Sequence, residues 1–107
     1  MAKGRFVWVV MALALVSFVA TPLAASGDKV KGAKVYQDAK CSVCHKIGTT
    51  GGKMGPDISK VGTTRNEDWL KKYLANPKAE NPKNKMPPVK AKGEDLEHLI
   101  AYLLSLK

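Results

Sequence analysis

The sequence predicts an all-α domain with three main helices, and three observations carry that prediction. Apolar residues recur at three- and four-residue intervals in three separate windows. Glycine and proline crowd the segments between them, 47–62 and 77–92. The alternating apolar and polar runs that half-buried strands require are absent.

The chain opens with Lys3 and Arg5, then an apolar run from Phe6 to Ala20, then the small and helix-breaking Thr21-Pro22-Leu23-Ala24-Ala25-Ser26. This pattern reads as a secretory signal peptide spanning 1–25, cleaved after Ala25 or Ser26, and it places the protein in the periplasm. The apolar run is shorter than the roughly 20 residues of a membrane-spanning helix. An uncleaved anchor is the competing reading, and after cleavage no stable membrane insertion is expected. Cleavage after Ala25 leaves residues 26–107, 82 residues, which suits one domain. The full chain carries a net charge of +9, and loss of Lys3 and Arg5 reduces it to +7.

Asp28 to about Ala39 forms the first expected helix. Val30, Ala33 and Tyr36 recur every third residue with Val35 beside them, and Asp28 puts negative charge at the positive end of the helix dipole. Directly after it stands Cys41-Ser42-Val43-Cys44-His45, which uses both cysteines of the chain. Two thiols three positions apart can each add across a vinyl group of haem, and the adjacent imidazole can bind the iron. The pentad therefore points to one covalently bound haem c, held by Cys41 and Cys44 with His45 as a metal ligand. Two rival chemistries use the same spacing. A thiol-disulfide centre belongs in a βαβ unit, which the sequence does not provide. A structural zinc site needs two more ligands, and only His98 remains outside the leader as a good one. A domain of this size usually needs a metal, disulfide or cofactor to complete its core. With no spare cysteine, haem is the staple.

Gly48, Gly51, Gly52, Gly55 and Pro56 make 47–62 a loop folded around the cofactor. Thr64-Arg65-Asn66-Glu67 fits a capping box, in which the Thr hydroxyl and the Glu carboxylate satisfy amide donors at a helix start. The second helix then runs to about Asn76, with Trp69, Leu70, Tyr73 and Leu74 on one face. Pro77 ends it, since proline disfavours helical geometry in the preceding residue. Pro82, Pro87 and Pro88 keep 77–92 extended. The third helix begins near Gly93. It carries Glu94, Asp95 and Glu97 at its start, Lys107 at its end, and Leu96, Leu99, Ile100, Leu103 and Leu106 as its buried stripe.

Across nearly the whole mature length, these features resemble the small single-haem class I cytochromes c. Cys41, Cys44 and His45 match the family's attachment and proximal residues. Gly55-Pro56-Asp57-Ile58 matches its glycine-proline segment, with Pro56 eleven residues after His45. Tyr73-Leu74-Ala75-Asn76-Pro77 followed by Lys85-Met86-Pro87 matches its distal segment. The resemblance implies a cytochrome c fold, with loops wrapped around one haem. It implies a Pro56 carbonyl that accepts a bond from the His45 ring, Met86 as the second axial ligand, and Trp69 and Tyr73 in the haem pocket. It also implies that Gly32 and Tyr36 cross against Leu99, Tyr102 and Leu103. Trp69 lies nearer Tyr73 than in mitochondrial members, and Asn81-Pro82-Lys83-Asn84 departs from the mitochondrial loop, which favours a bacterial version.

Met1 and Met11 leave with the leader, and Met54 adjoins Gly55-Pro56 on what the resemblance makes the proximal side, so Met86 is the expected distal ligand. His98 falls opposite the apolar stripe of its helix, which predicts an exposed, non-ligating side chain. Lys40, Lys46, Lys53, Lys85 and Lys90 lie in segments that should border the haem crevice. They would steer acidic-surfaced redox proteins into transient encounters. Dispersed charge without a binding motif argues against nucleic acid. The implied function is that of a soluble, monomeric electron carrier and not an enzyme. The alternative, a peroxidase or gas binder, needs an open iron position and distal acid-base groups, and no histidine or arginine stands near Met86.

Overall fold

The computed structural model describes residues 27–107, so the expected leader lies outside the described residues. Asp28 starts helix α1 (Lys29–Asp38) as its cap: one carboxylate oxygen accepts from the amides of Val30 at 2.8 Å and Lys31 at 3.3 Å. These two bonds hold its carboxyl below the ordinary 3.8. The buried face of α1 is Gly32 and Tyr36, four residues apart. Val30, expected on that face, is 73% exposed because it sits in the first turn beside neither of them.

Between Lys46 and Gly51 the expected loop contains a small hairpin, β1 (Lys46–Ile47) against β2 (Thr50–Gly51), paired Lys46 to Gly51 and Ile47 to Thr50. Gly48 makes the tight turn possible at φ +62°, and its amide donates to Ser59 Oγ at 2.8 Å. A short helix, α2 (Val61–Thr64), follows. The Thr64 hydroxyl bonds back to the Val61 carbonyl, so Thr64 closes α2 and does not cap the next helix. That role passes to Asn66, whose side-chain oxygen accepts from the Trp69 amide at 2.9 Å at the start of α3 (Glu67–Ala75). Asparagine caps as well as or better than threonine, which accounts for the two-residue shift from the expected box.

Pro77 is buried and opens a 3₁₀ turn to Ala79, a short exception to the extended course expected over 77–92. Helix α4 (Glu94–Leu104) then follows Gly93, with Glu94, Asp95 and Glu97 in its first turn. Ser105 caps its end, so Lys107 lies beyond the last turn and gives the dipole no basic partner there.

Helices α1 and α4 make the most extensive contact between elements. A Cβ on Gly32 would overlap the His98 carbonyl oxygen and stand 2.7 Å from Tyr102 Cβ, so only glycine permits this approach. Tyr36 meets Tyr102 edge to face, centroids 5.4 Å apart. The core comprises Tyr36, Leu70, Leu74, Leu99, Ile100 and Leu103. Of the expected stripes, Trp69, Tyr73 and Leu96 are only half-buried, and Leu106 lies beyond the end of α4 because the helix stops at Leu104. His98 departs from its expected exposure. It is half-buried at the helix crossing, where its Nδ1 accepts from the Asp28 amide at 2.9 Å.

Candidate haem site

Lys40 enters the left-handed region at φ 59°, ψ 31°, a conformation unusual for a side-chain-bearing residue, and turns the chain out of α1. A 3₁₀ turn from Cys41 to Val43 follows, closed by the Cys44 and His45 amides donating to the Cys41 carbonyl. This winding presents both cysteines, unpaired and half-buried, with His45 beside them. Burial pushes the Cys41 thiol up. The glycine-rich segment is pinned to the same turn: the Gly52 amide donates to the Ser42 carbonyl at 2.9 Å and the Gly55 amide to the Cys44 carbonyl at 2.7 Å.

That pinning fixes the imidazole. His45 Nδ1–H donates to the Pro56 carbonyl at 2.9 Å, as the family resemblance implies. A Cβ on Gly55 would lie 2.7 Å from His45 Cε1, so a glycine is required for the ring to lie there. With the proton held on Nδ1, the neutral ring keeps its Nε2 lone pair for a metal.

Two adjoining hollows of about 950 and 510 Å³ share Cys41, His45, Pro56, Tyr73, Asn84 and Met86 in their walls. The deeper one is backed by Tyr36, Leu70, Leu74, Leu99 and Leu103, so the core itself forms its wall. Together they make a cleft large enough for a bulky cofactor. Among the described residues the buried Tyr36 hydroxyl reaches no hydrogen-bond partner, and burial pushes its pKa up to about 12.

Each expected site residue lies in these walls, Trp69 in the deeper hollow only. Trp69 and Tyr73 stack with centroids 4.5 Å apart, and the Arg65 guanidinium lies 4.1 Å from the Trp69 ring centre. Met54 lines the mouth but is 84% exposed, whereas Met86 is half-buried against the core. Of the expected lysines, Lys40, Lys85 and Lys90 border the cleft; Lys83 does too, and Lys46 and Lys53 do not line it. The carboxylates Asp38 and Asp95 share that border.

Asn84 was not singled out by its sequence position. Its Nδ2 donates to the Tyr73 hydroxyl at 2.6 Å, and its Oδ1 accepts from the Met86 amide at 3.0 Å. The only signal was its place two residues before Met86.

The residues fit a haem: two free thiols at the attachment spacing, one oriented imidazole, one half-buried thioether, and an apolar cleft joining them. Among the described residues, no three His, Cys, Asp or Glu side chains gather into a metal cage.

The family model for cytochrome c matches residues 30–107. The chain belongs to the cytochrome c family. Cytochrome c2 of Rhodomicrobium vannielii is 35% identical over 101 residues, covering 74% of this chain and 79% of that protein. Cytochrome c oxidase subunit 2 of Alkalihalophilus pseudofirmus is 33% identical over 86 residues, covering 72% of this chain; the chain spans only 25% of that subunit. Two solved structures share the fold. One is SoxXA from P. pantotrophus, with a TM-score of 0.65 and 21% identity, covering 76% of this chain and 82% of that one. The other is cytochrome c2 from Paracoccus denitrificans, with a TM-score of 0.51 and 23% identity, covering 72% and 93%. As a cytochrome c, this chain carries one covalently bound haem c, and the helices around its cleft are those of the cytochrome c fold.

Proposed function

We propose that this cytochrome c is a one-electron carrier and not an enzyme, with His45 and Met86 as the side chains that would hold the haem iron in both oxidation states. The observation that carries the reading is the convergence of His45 and Met86 on one apolar cleft, with the His45 ring already held by Pro56. When bound, the haem supplies an Fe2+/Fe3+ couple. The chain supplies its surroundings. Cys41 and Cys44 would tether the group through thioethers, each thiol supplying the S–H that a vinyl double bond takes up. The carbonyl of Pro56 orients the imidazole and makes it more basic. The neutral thioether of Met86 donates weakly, favours the ferrous state, and raises the reduction potential relative to a second imidazole. Leu70, Leu74, Leu99 and Leu103 exclude water from the deep wall, and constant ligation keeps reorganisation small.

Export by the leader places attachment and function in the periplasm. The partners are acidic-surfaced redox proteins met in transient encounters, drawn by Lys40, Lys83, Lys85 and Lys90 at the cleft mouth. Visible spectra of the purified protein in both oxidation states test attachment and ligation together. The reduced form should resist carbon monoxide at neutral pH. Rapid stoichiometric binding would replace the carrier with a gas binder or peroxidase-like protein.

A further inference from the structure

The segment that presents Met86 cannot secure itself by main-chain pairing in the usual way. Pro82, Pro87 and Pro88 have no amide hydrogen, and two of them directly follow Met86. On the far side the Val89 amide donates to the Leu74 carbonyl of α3 at 2.9 Å. On the near side, among the described residues, the tie to α3 is made by one side chain, that of half-buried Asn84.

The chemistry of the amide fixes its orientation. The Met86 N–H can only donate, so the atom facing it must be Oδ1. The nitrogen Nδ2 therefore faces the Tyr73 hydroxyl at 2.6 Å, with the Pro77 carbonyl at 3.4 Å as a weaker second acceptor. One planar group thus bridges the start of the ligand loop, the last turn of α3 and the backbone of Met86.

Resting on the assignment of Met86 as distal ligand, we propose that Asn84 is a positioning residue: a clasp that sets how often the Met86 loop lifts away from the cleft. Its loss leaves the Met86 amide and the Tyr73 hydroxyl without their partner while the α1–α4 core stays intact. The equilibrium it governs is local opening. An exogenous ligand that needs the open form binds with an apparent affinity proportional to the open fraction.

Imidazole titration of the ferric holoprotein reads that fraction. Asn84→Ala should bind imidazole about 10- to 100-fold more tightly than wild type, the population change expected from losing one to two good hydrogen bonds. Asn84→Asp keeps an acceptor for the Met86 amide, and its second oxygen can accept from the Tyr73 hydroxyl where Asn84 donates to it, so both ties survive and imidazole affinity should stay within about threefold of wild type. Ile100→Val, a core change at a residue that lines neither hollow, should lower thermal stability and leave imidazole affinity unchanged. The clasp is overturned if Asn84→Ala stays within about threefold of wild type. It is equally overturned if Ile100→Val tightens binding as much, or if Asn84→Asp behaves like Asn84→Ala. Met86→Ala separates the two assignments: wild-type imidazole affinity in that variant overturns Met86 ligation itself.

Discussion

At the scale of single residues, chemistry separates side chains of the same type. Met54 and Met86 both touch the cleft, but Met54 is 84% exposed at its mouth while Met86 packs against the core. Met86→Ala should therefore abolish the far-red charge-transfer band of the ferric protein, and Met54→Ala should leave it intact, as absorbance spectra of the two variants will show. Asp28 makes a second residue-level prediction. Its carboxyl is held below 3.8 in the folded chain by the amides of Val30 and Lys31, while unfolding returns it to that value. The cap's stabilisation is thus fully present above about pH 3.8 and is lost as pH falls through the lower folded value. Urea unfolding of wild type and Asp28→Ser, whose cap does not titrate, should give a constant stability difference above pH 5 and a shift toward Asp28→Ser below 3.8. Asn84 and His98 mark what could not be read at this scale. His98 bonds a residue 70 positions away, and no local pattern encodes that meeting.

At the scale of elements, close approach sets the tolerance. Gly32 lets α1 lie against the main chain of α4, where a Cβ would overlap the His98 carbonyl. Gly32→Ala should push the helices apart and cost about 1–3 kcal/mol despite alanine's better helix propensity, measurable by chemical denaturation of the holoprotein. The same crossing explains why the periodic reading of α1 misplaced Val30. Spacing alone gave Val30 and Tyr36 equal standing, but the buried face is centred on a glycine that has no apolar side chain to reveal it. Periodicity served α3 and α4 better, because their buried residues are leucine and isoleucine. The cap of α3 falls on Asn66 and not on Thr64, because the short α2, two residues upstream, uses the Thr64 hydroxyl to close itself.

For the whole molecule, charge and cleft have to be considered together. Lys40, Lys83, Lys85 and Lys90 border the same opening that leads to the redox site, with Asp38 and Asp95 offsetting part of their field. If they steer an acidic partner, raising ionic strength from about 10 to 150 mM should slow association, because the Debye length contracts from about 30 to 8 Å. Stopped-flow measurement with an acidic redox partner checks this; an unchanged rate assigns the lysines to solubility. The core has a similar dependence on the cleft. Leu70, Leu74, Leu99 and Leu103 are core residues and cleft wall at once, so in a domain this small the cofactor completes the packing.

Local sequence encodes the covalent chemistry, the three main helices and the proline-rich course before the last of them. Each is encoded within a few residues: the pentad by thiol spacing, the helices by apolar recurrence, the breaks by missing amides and restricted dihedrals. Which backbone atom holds the imidazole, how Asn84 ties Met86 to α3, where His98 sits and which lysines border the cleft follow only from the folded arrangement. These depend on distances between segments far apart in the chain, and such distances exist only once α1 and α4 have crossed and the loops have closed over their shared core.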